Sequence, residues 1–211
     1  MNRVMNTLLR RLVNALMARR WTQVLLVVVM IALAATGLLN NLPTDTRAQA
    51  GTPAHDGTSF QLTGRVVHVA DGDTFTLLVN GKQQRVRMSS IDAPELTKDR
   101  ERPGQPMGQK SREALSRLIS GKTLTLLCFE QDRYERNICD VPLDDGMTAN
   151  QRQVQAGMAW ANMEKRGQFM RDDKLPGLEQ QARSKRLGIW QDSNPVQPWA
   201  WRYHCWQKQQ C

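Results

Sequence analysis

The stretch "VADGDTFTLLVNGKQQRVRMSSIDAPEL", Val69–Leu96, decides how this chain folds. Two runs rich in β-branched and apolar residues, Thr74–Val79 and Gln83–Ile91, flank the pair Asn80-Gly81. Asn and Gly accept positive φ more readily than other residues, so the runs read as a β-hairpin closed by a type I′ turn. Pairing through that turn brings the far ends together, Asp71-Gly72-Asp73 against Asp92-Ala93-Pro94-Glu95. Asp73 lies seven residues before Asn80, and Asp92 eleven after Gly81. That mismatch requires a bulge or bend in the ladder. The hairpin thus gathers three acidic side chains, Asp73, Asp92 and Glu95, around Arg87.

Phe60–Val69, Lys122–Phe129 and Arg136–Leu143 read as further strands, which makes five. Met107–Ser120 places Ala114, Leu115, Leu118 and Ile119 on one helical face and ends before Gly121. Thr148 and Gln151 stand at capping-box spacing. Another helix is predicted from Leu175, with Pro176 in its first turn and Gly188 at its end. Five short strands with a helix ahead of the fourth point to a mostly β chain: a five-stranded OB-fold barrel plus about three α-helices. Periodicity alone leaves an open α+β sheet as the alternative.

The chain has 211 residues and a formal charge of +9. Residues 1–50 hold six arginines and one aspartate, leaving 23 basic against 19 acidic side chains in the rest. A surplus this small does not by itself name a polyanionic partner. Arg10, Arg11, Arg19 and Arg20 precede Trp21–Leu39, 19 residues without a charge. Roughly 20 apolar residues cross a bilayer as a helix, and arginines ahead of them hold the N-terminus in the cytoplasm. The chain is therefore divided into a basic cytoplasmic segment (1–20), a signal or transmembrane helix (21–42), a linker rich in Pro, Gly and polar residues (43–59), a folded domain (60–205) and a C-terminal tail (206–211). Ala48-Gln49-Ala50 has the form of a cleavage site, so both a cleaved signal and a retained membrane anchor remain open. Either places the domain in the periplasm, outside the cell, or on the outer side of a membrane. The cysteines Cys128, Cys139, Cys205 and Cys211 all follow the apolar run, and an even count in an exported domain reads as two disulfides. Chain proximity favours Cys128–Cys139 and Cys205–Cys211. The spacing of His55, His68 and His204 matches no zinc site.

Carboxylates held close together repel unless a cation joins them. Asp73 and Asp92 suit a hard divalent ion that keeps water ligands, such as Ca²⁺; both motifs are also ordinary turn formers. Arg87 beside them shifts the balance, because a guanidinium forks onto phosphate oxygens. A metal and an arginine facing one site fit a phosphodiester, and Glu95 is placed to deprotonate a water.

"DGDT", "RVRMSSIDAPE", "DRYER", "ANQRQVQAGMAW", "ARSKRLGIW" and "PWAWR" together resemble the staphylococcal nuclease (thermonuclease-like) family, over about Gly64–Arg202. The resemblance implies an OB barrel that hydrolyses DNA and RNA with Ca²⁺ and leaves 3′-phosphates. It implies Asp73, Asp92 and the Ala93 backbone carbonyl as metal ligands, and Glu95 as general base. Arg87 and Arg136 would be the phosphate-binding arginines, and Arg133 and Tyr134 would hold a terminal phosphate. DNA and RNA, single-stranded or unwound, are the implied partners; the membrane joins them if the leader is retained, and no obligate protein partner is expected. The chain departs from the family at Glu135, where Gly is common and where a carboxylate could compete for Arg136 or face solvent. It also lacks a tyrosine after Trp160, which "AGMAW" marks as core. The tryptophans of "PWAWRYHCWQ" are expected to cover the barrel. The alternative to catalysis is a nucleic-acid-binding or protein-binding OB module of the cell envelope, in which the five-residue set Asp73, Arg87, Asp92, Glu95 and Arg136 would be eroded.

Overall fold

The computed structural model describes residues 59–211. The signal or anchor helix expected at 21–42 lies outside the described residues. Among those described, no helix is long and apolar enough to cross a membrane.

Strands β1 (Phe60–Val69), β2 (Thr74–Val79), β3 (Lys82–Met88), β5 (Thr123–Gln131) and β6 (Asn137–Asp140) form a closed barrel in the order β1-β2-β3-β6-β5. Closure leaves no open edge on the sheet. The hairpin is as its residues dictate: Val79 pairs with Lys82, and Asn80 and Gly81 take φ of 49° and 77°. Val66, Phe75, Leu77, Val86, Met88 and Leu126 fill the interior, each at 2% exposure or less. Burying a side chain of this size is worth about 1.5–3 kcal/mol. The helix α1 (Gly108–Ile119) adds Leu115 and Ile119 to the same core.

The predicted bend falls at Ser89-Ser90. There the chain leaves the barrel, Ser90 takes φ of 62°, and β4 (Ile91–Asp92) pairs instead with β7 (Trp160–Ala161). The single strand expected over Gln83–Ile91 is therefore two. Buried polar groups hold the bend. Asn150 Nδ2 donates to the Ser89 carbonyl at 3.0 Å and to Asp140 Oδ1 at 3.3 Å, and Ser89 Oγ donates to the same Asp140 oxygen. Asn150 belongs to α2 (Ala149–Gln155), which opens with the full capping box of Thr148 and Gln151. The β6 strand is shorter than the run Arg136–Leu143, because Pro142 has no N–H to continue the ladder.

Helix α3 (Leu175–Ser184) carries Pro176 in its first turn, as predicted, but ends four residues before Gly188; Arg186 already has a φ of 50°. A smaller apolar cluster joins Trp160 and Trp190, ring centroids 5.4 Å apart, to Ala182 and Ile189. The C-terminal tryptophans do not cover the barrel. Trp199 packs on this second cluster, while Trp201 and Trp206 both donate their indole N–H to the Pro103 carbonyl, at 3.0 and 2.8 Å. They lie on the short α4 (Pro198–Trp201) and the π-helix Arg202–Gln207 that follows it.

Both disulfides close as chain proximity suggested. Cys128 and Cys139 are direct partners across β5 and β6 and fully buried. Replacing that pair with alanines should cost about 2–4 kcal/mol of unfolding free energy, measured by denaturant titration.

Burial raises the Asp140 carboxyl above its ordinary range; Ser89 opposes the shift and Asp172 adds to it. An acid with a raised folded-state pKa stabilises the fold most at low pH, and that stability is lost as pH rises toward the folded value. Asp140→Asn keeps an acceptor for Ser89 and Asn150 and removes the buried charge. Its melting temperature should exceed that of the wild type at pH 7, with the gap closing near pH 4.

Candidate active site

Asp73 sits in the β1–β2 turn, where its N–H donates to Asp71 Oδ1 at 3.1 Å. Gly72 is required beside it. A Cβ there would lie 1.9 Å from Ser111 Oγ and 2.7 Å from Ala93 Cβ, so nothing larger fits between the turn and α1. The Gly72 carbonyl accepts from Gln153 Nε2 of α2 at 2.8 Å. Two helices therefore fix the turn from below, while β4 delivers Asp92 and Ala93 from the other side. The Ala93 N–H donates to Asp73 Oδ2 at 2.7 Å.

Arg87 lies between the two aspartates. Its Nη1 donates to Asp73 Oδ1 and its Nη2 to Asp92 Oδ1, each at 2.8 Å. Burial works against its charge, but Asp73 and Asp92 hold the guanidinium above its ordinary pKa. For Asp92, burial alone would raise the pKa; Arg87 and Arg202 outweigh it and hold the carboxyl below its usual range. Asp71, just outside this set, is pushed up to about 7 by burial and by the charge of Asp73.

Arg202, from the C-terminal π-helix, completes the cluster. Its Nη2 donates to Asp92 Oδ2 at 2.8 Å, and its Nη1 reaches Asp92 Oδ1 at 3.1 Å and Glu95 Oε1 at 2.8 Å. Lys98 Nζ stands 3.5 Å from Glu95 Oε2. The structure thus brings Asp73, Arg87, Asp92, Ala93 and Glu95 together, with Arg202 joining Glu95 to the rest. No role for Arg202 was read from the sequence; its only sign there was its place in "PWAWR". A cleft of about 590 Å³ opens beside Glu95, with Thr97, Gln105 and Arg112 on its walls.

The other three candidates form a second group on the β5–β6 loop. Arg133 Nη2 donates to the Tyr134 hydroxyl at 2.6 Å and its guanidinium lies 4.7 Å from that ring. Arg136 lies 5.4 Å from the same ring. Side chains of paired residues share a sheet face, and Arg87 pairs with Ile138 across β3 and β6. Arg136 lies two residues before Ile138, just ahead of β6. No hydrogen bond or ion pair joins the two groups among the described residues. Glu135 is exposed at a φ of 61° and does not compete for Arg136. The competitor is Asp132, whose Oδ2 accepts from Arg136 Nε at 2.8 Å and Nη2 at 2.6 Å. Burial would raise the Asp132 pKa, but Arg136 holds it below the usual range.

Among the described residues, no group of three or more His, Cys, Asp or Glu side chains forms a ready-made metal cage. The available donors are two carboxylates and nearby backbone carbonyls. These are hard oxygens that suit Ca²⁺, with water and substrate filling the remaining positions. Each aspartate keeps one uncommitted acceptor position on Oδ2. Asp73 Oδ2 accepts only the Ala93 N–H, and Asp92 Oδ2 accepts only Arg202.

Residues 85–192 match the family described as "Staphylococcal nuclease homologue". An "Uncharacterized endonuclease" of Escherichia coli O157:H7 is 41% identical over 140 residues, 66% of this chain and 84% of that protein. One of Haemophilus influenzae is 38% identical over 66% of this chain and 72% of its own length. A "Micrococcal nuclease" of Shigella flexneri is 39% identical over 147 residues, 66% of this chain and 79% of that protein. With the family matched over half the chain, on a closed barrel whose outer face gathers carboxylates around arginines, the chain belongs to the staphylococcal nuclease homologues and is a hydrolase of the nuclease class.

Proposed function

We propose that this protein is a Ca²⁺-dependent, sugar-nonspecific nuclease that hydrolyses DNA and RNA to 3′-phosphates outside the cytoplasm, favouring single-stranded or unwound substrate. The observation that carries the reading is the bridging of Asp73 and Asp92 by the two ends of one guanidinium, Arg87, with Glu95 tied to the same cluster. Such an arrangement has charge of both signs at one partly open spot, which suits a phosphodiester that must be gripped and attacked by water.

In this reading Asp73, Asp92 and the Ala93 carbonyl hold Ca²⁺, which when bound neutralises charge on the phosphate. Glu95 accepts a proton from water as the water oxygen bonds to phosphorus in line with the 5′-oxygen. The bond from phosphorus to that oxygen breaks, the 3′ side keeps the phosphate, and the departing oxygen takes up a proton. Arg87, 18% exposed, presents a fork to the non-bridging oxygens. Arg136 serves the leaving side once it releases Asp132, and Arg133 with Tyr134 holds a terminal phosphate. The cleft beside Glu95 offers space for the strand that enters or leaves. Two disulfides support an oxidising compartment.

Glu95→Gln should lower kcat on single-stranded DNA by roughly 10²–10⁴, in a fluorogenic digestion assay with Ca²⁺ against chelator. Digestion at the wild-type rate by that variant would remove Glu95 from the base role, and digestion in chelator would remove the ion. Arg87→Lys should also lose activity, because an ammonium has no planar fork to offer phosphate oxygens. Its melting temperature in chelator should fall as well, since the buried carboxylates lose their shared partner.

A further inference from the structure

The family match ends at residue 192, and Arg202 lies beyond it. Even so, Arg202 makes three hydrogen bonds to the carboxylates, against two from Arg87. It forks onto Asp92 at 2.8 and 3.1 Å and reaches Glu95 at 2.8 Å. An ionised carboxylate offers about four acceptor positions. On Asp92, Oδ1 already serves Arg87 and Arg202, and Oδ2 serves Arg202. Any cation that uses Asp92 must share it with this guanidinium or displace it.

The backbone that carries Arg202 is firmly held. Trp201 and Trp206 both donate to the Pro103 carbonyl, and Cys205 is buried and bonded to Cys211. Lys98 lies over the Trp206 ring at 4.7 Å. The Arg202 side chain is less confined, 29% exposed against 1% for Asp92. The anchored helix therefore presents a partly exposed cation to buried carboxylates.

We propose that Arg202 is a positioning residue that acts as an internal counter-cation: it holds Asp92 and Glu95 together and competes with the divalent ion for Asp92. This rests on the reading of Asp73 and Asp92 as the ion's ligands. Two cations that share one carboxylate oppose each other's binding, and the opposition is reciprocal. The ion loosens Arg202 from Asp92 to the same degree that Arg202 weakens the ion. The residue therefore sets the Ca²⁺ concentration at which the site fills.

The test is calorimetric titration of the exported, disulfide-bonded protein with CaCl₂, without nucleic acid, for the wild type, Arg202→Gln and Arg202→Lys. Melting curves in chelator and in saturating Ca²⁺ accompany it. Arg202→Gln should bind Ca²⁺ about tenfold tighter or more, and its melting temperature should rise further on adding Ca²⁺ than that of the wild type. Arg202→Lys, which keeps the charge and loses the fork, should fall between the two. Unchanged or weaker Ca²⁺ binding by both variants, in folded protein, would overturn the proposal while leaving the ion site intact. A wild type that binds no Ca²⁺ would instead remove the ion reading itself, and the competition with it.

Discussion

The guanidinium of Arg87 between Asp73 and Asp92 is the contact on which the rest of the site depends. Two carboxylates, one from the β1–β2 turn and one from β4, nearly removed from water, cannot lie side by side without a shared positive partner. Arg87 is that partner, and its place is fixed by register. It is paired with Thr74 next to Asp73, and five residues ahead of Asp92 on its own chain. The bend at Ser89-Ser90 then has a definite purpose in the geometry. A strand that continued straight along β3 would carry Asp92 past the turn that holds Asp73. Asn150 and Asp140 hold the bend where Asp92 meets Arg87.

Support for this arrangement comes from several directions. The turn that bears Asp73 is packed so closely that only glycine fits at position 72, with Ser111 of α1 and Gln153 of α2 beneath it. The β4 strand is held by β7, and β7 by Glu179 of α3, whose Oε2 accepts from the Ala161 N–H at 2.7 Å. The turn that bears Asp73 and the strand that bears Asp92 thus both have backbone bonded to neighbouring elements. Buried carboxylates tolerate such positions only when the surroundings leave them no freedom to move to water.

Much of this was legible in the residues. Asn80-Gly81 fixed the hairpin, the unequal arms of that hairpin required a bend, and Thr148 with Gln151 marked a capped helix. These are local signals, read over a few positions. The two disulfides followed from chain proximity, which is also local. What escaped was long-range. Arg202 meets Glu95 across 107 residues and Asp92 across 110, from a helix of π type that no periodicity foretells. The tryptophans around it were read as cover for the barrel, whereas two indoles converge on one carbonyl of the loop after Glu95. Asp132 shows a different kind of failure. It stands in "DRYER", four residues from Arg136, but only the folded loop shows that it takes that guanidinium.

The two clusters share a principle that separate descriptions hide. In each, an arginine suited to phosphate is already held by a carboxylate of the protein: Arg87 by Asp73 and Asp92, Arg136 by Asp132. A phosphate must then exchange one carboxylate partner for another anion, so the net gain per contact is a difference between two similar terms. Exchange of this kind favours a ligand that replaces several partners together, because a single phosphate at one arginine leaves a carboxylate unpaired. On the proposed function, a divalent ion at Asp92 would remove that penalty by taking the carboxylate as the phosphate takes the guanidinium. Ion and polyanion are therefore expected to bind more strongly together than apart, and that coupling follows from the ion pairs already formed in the protein alone.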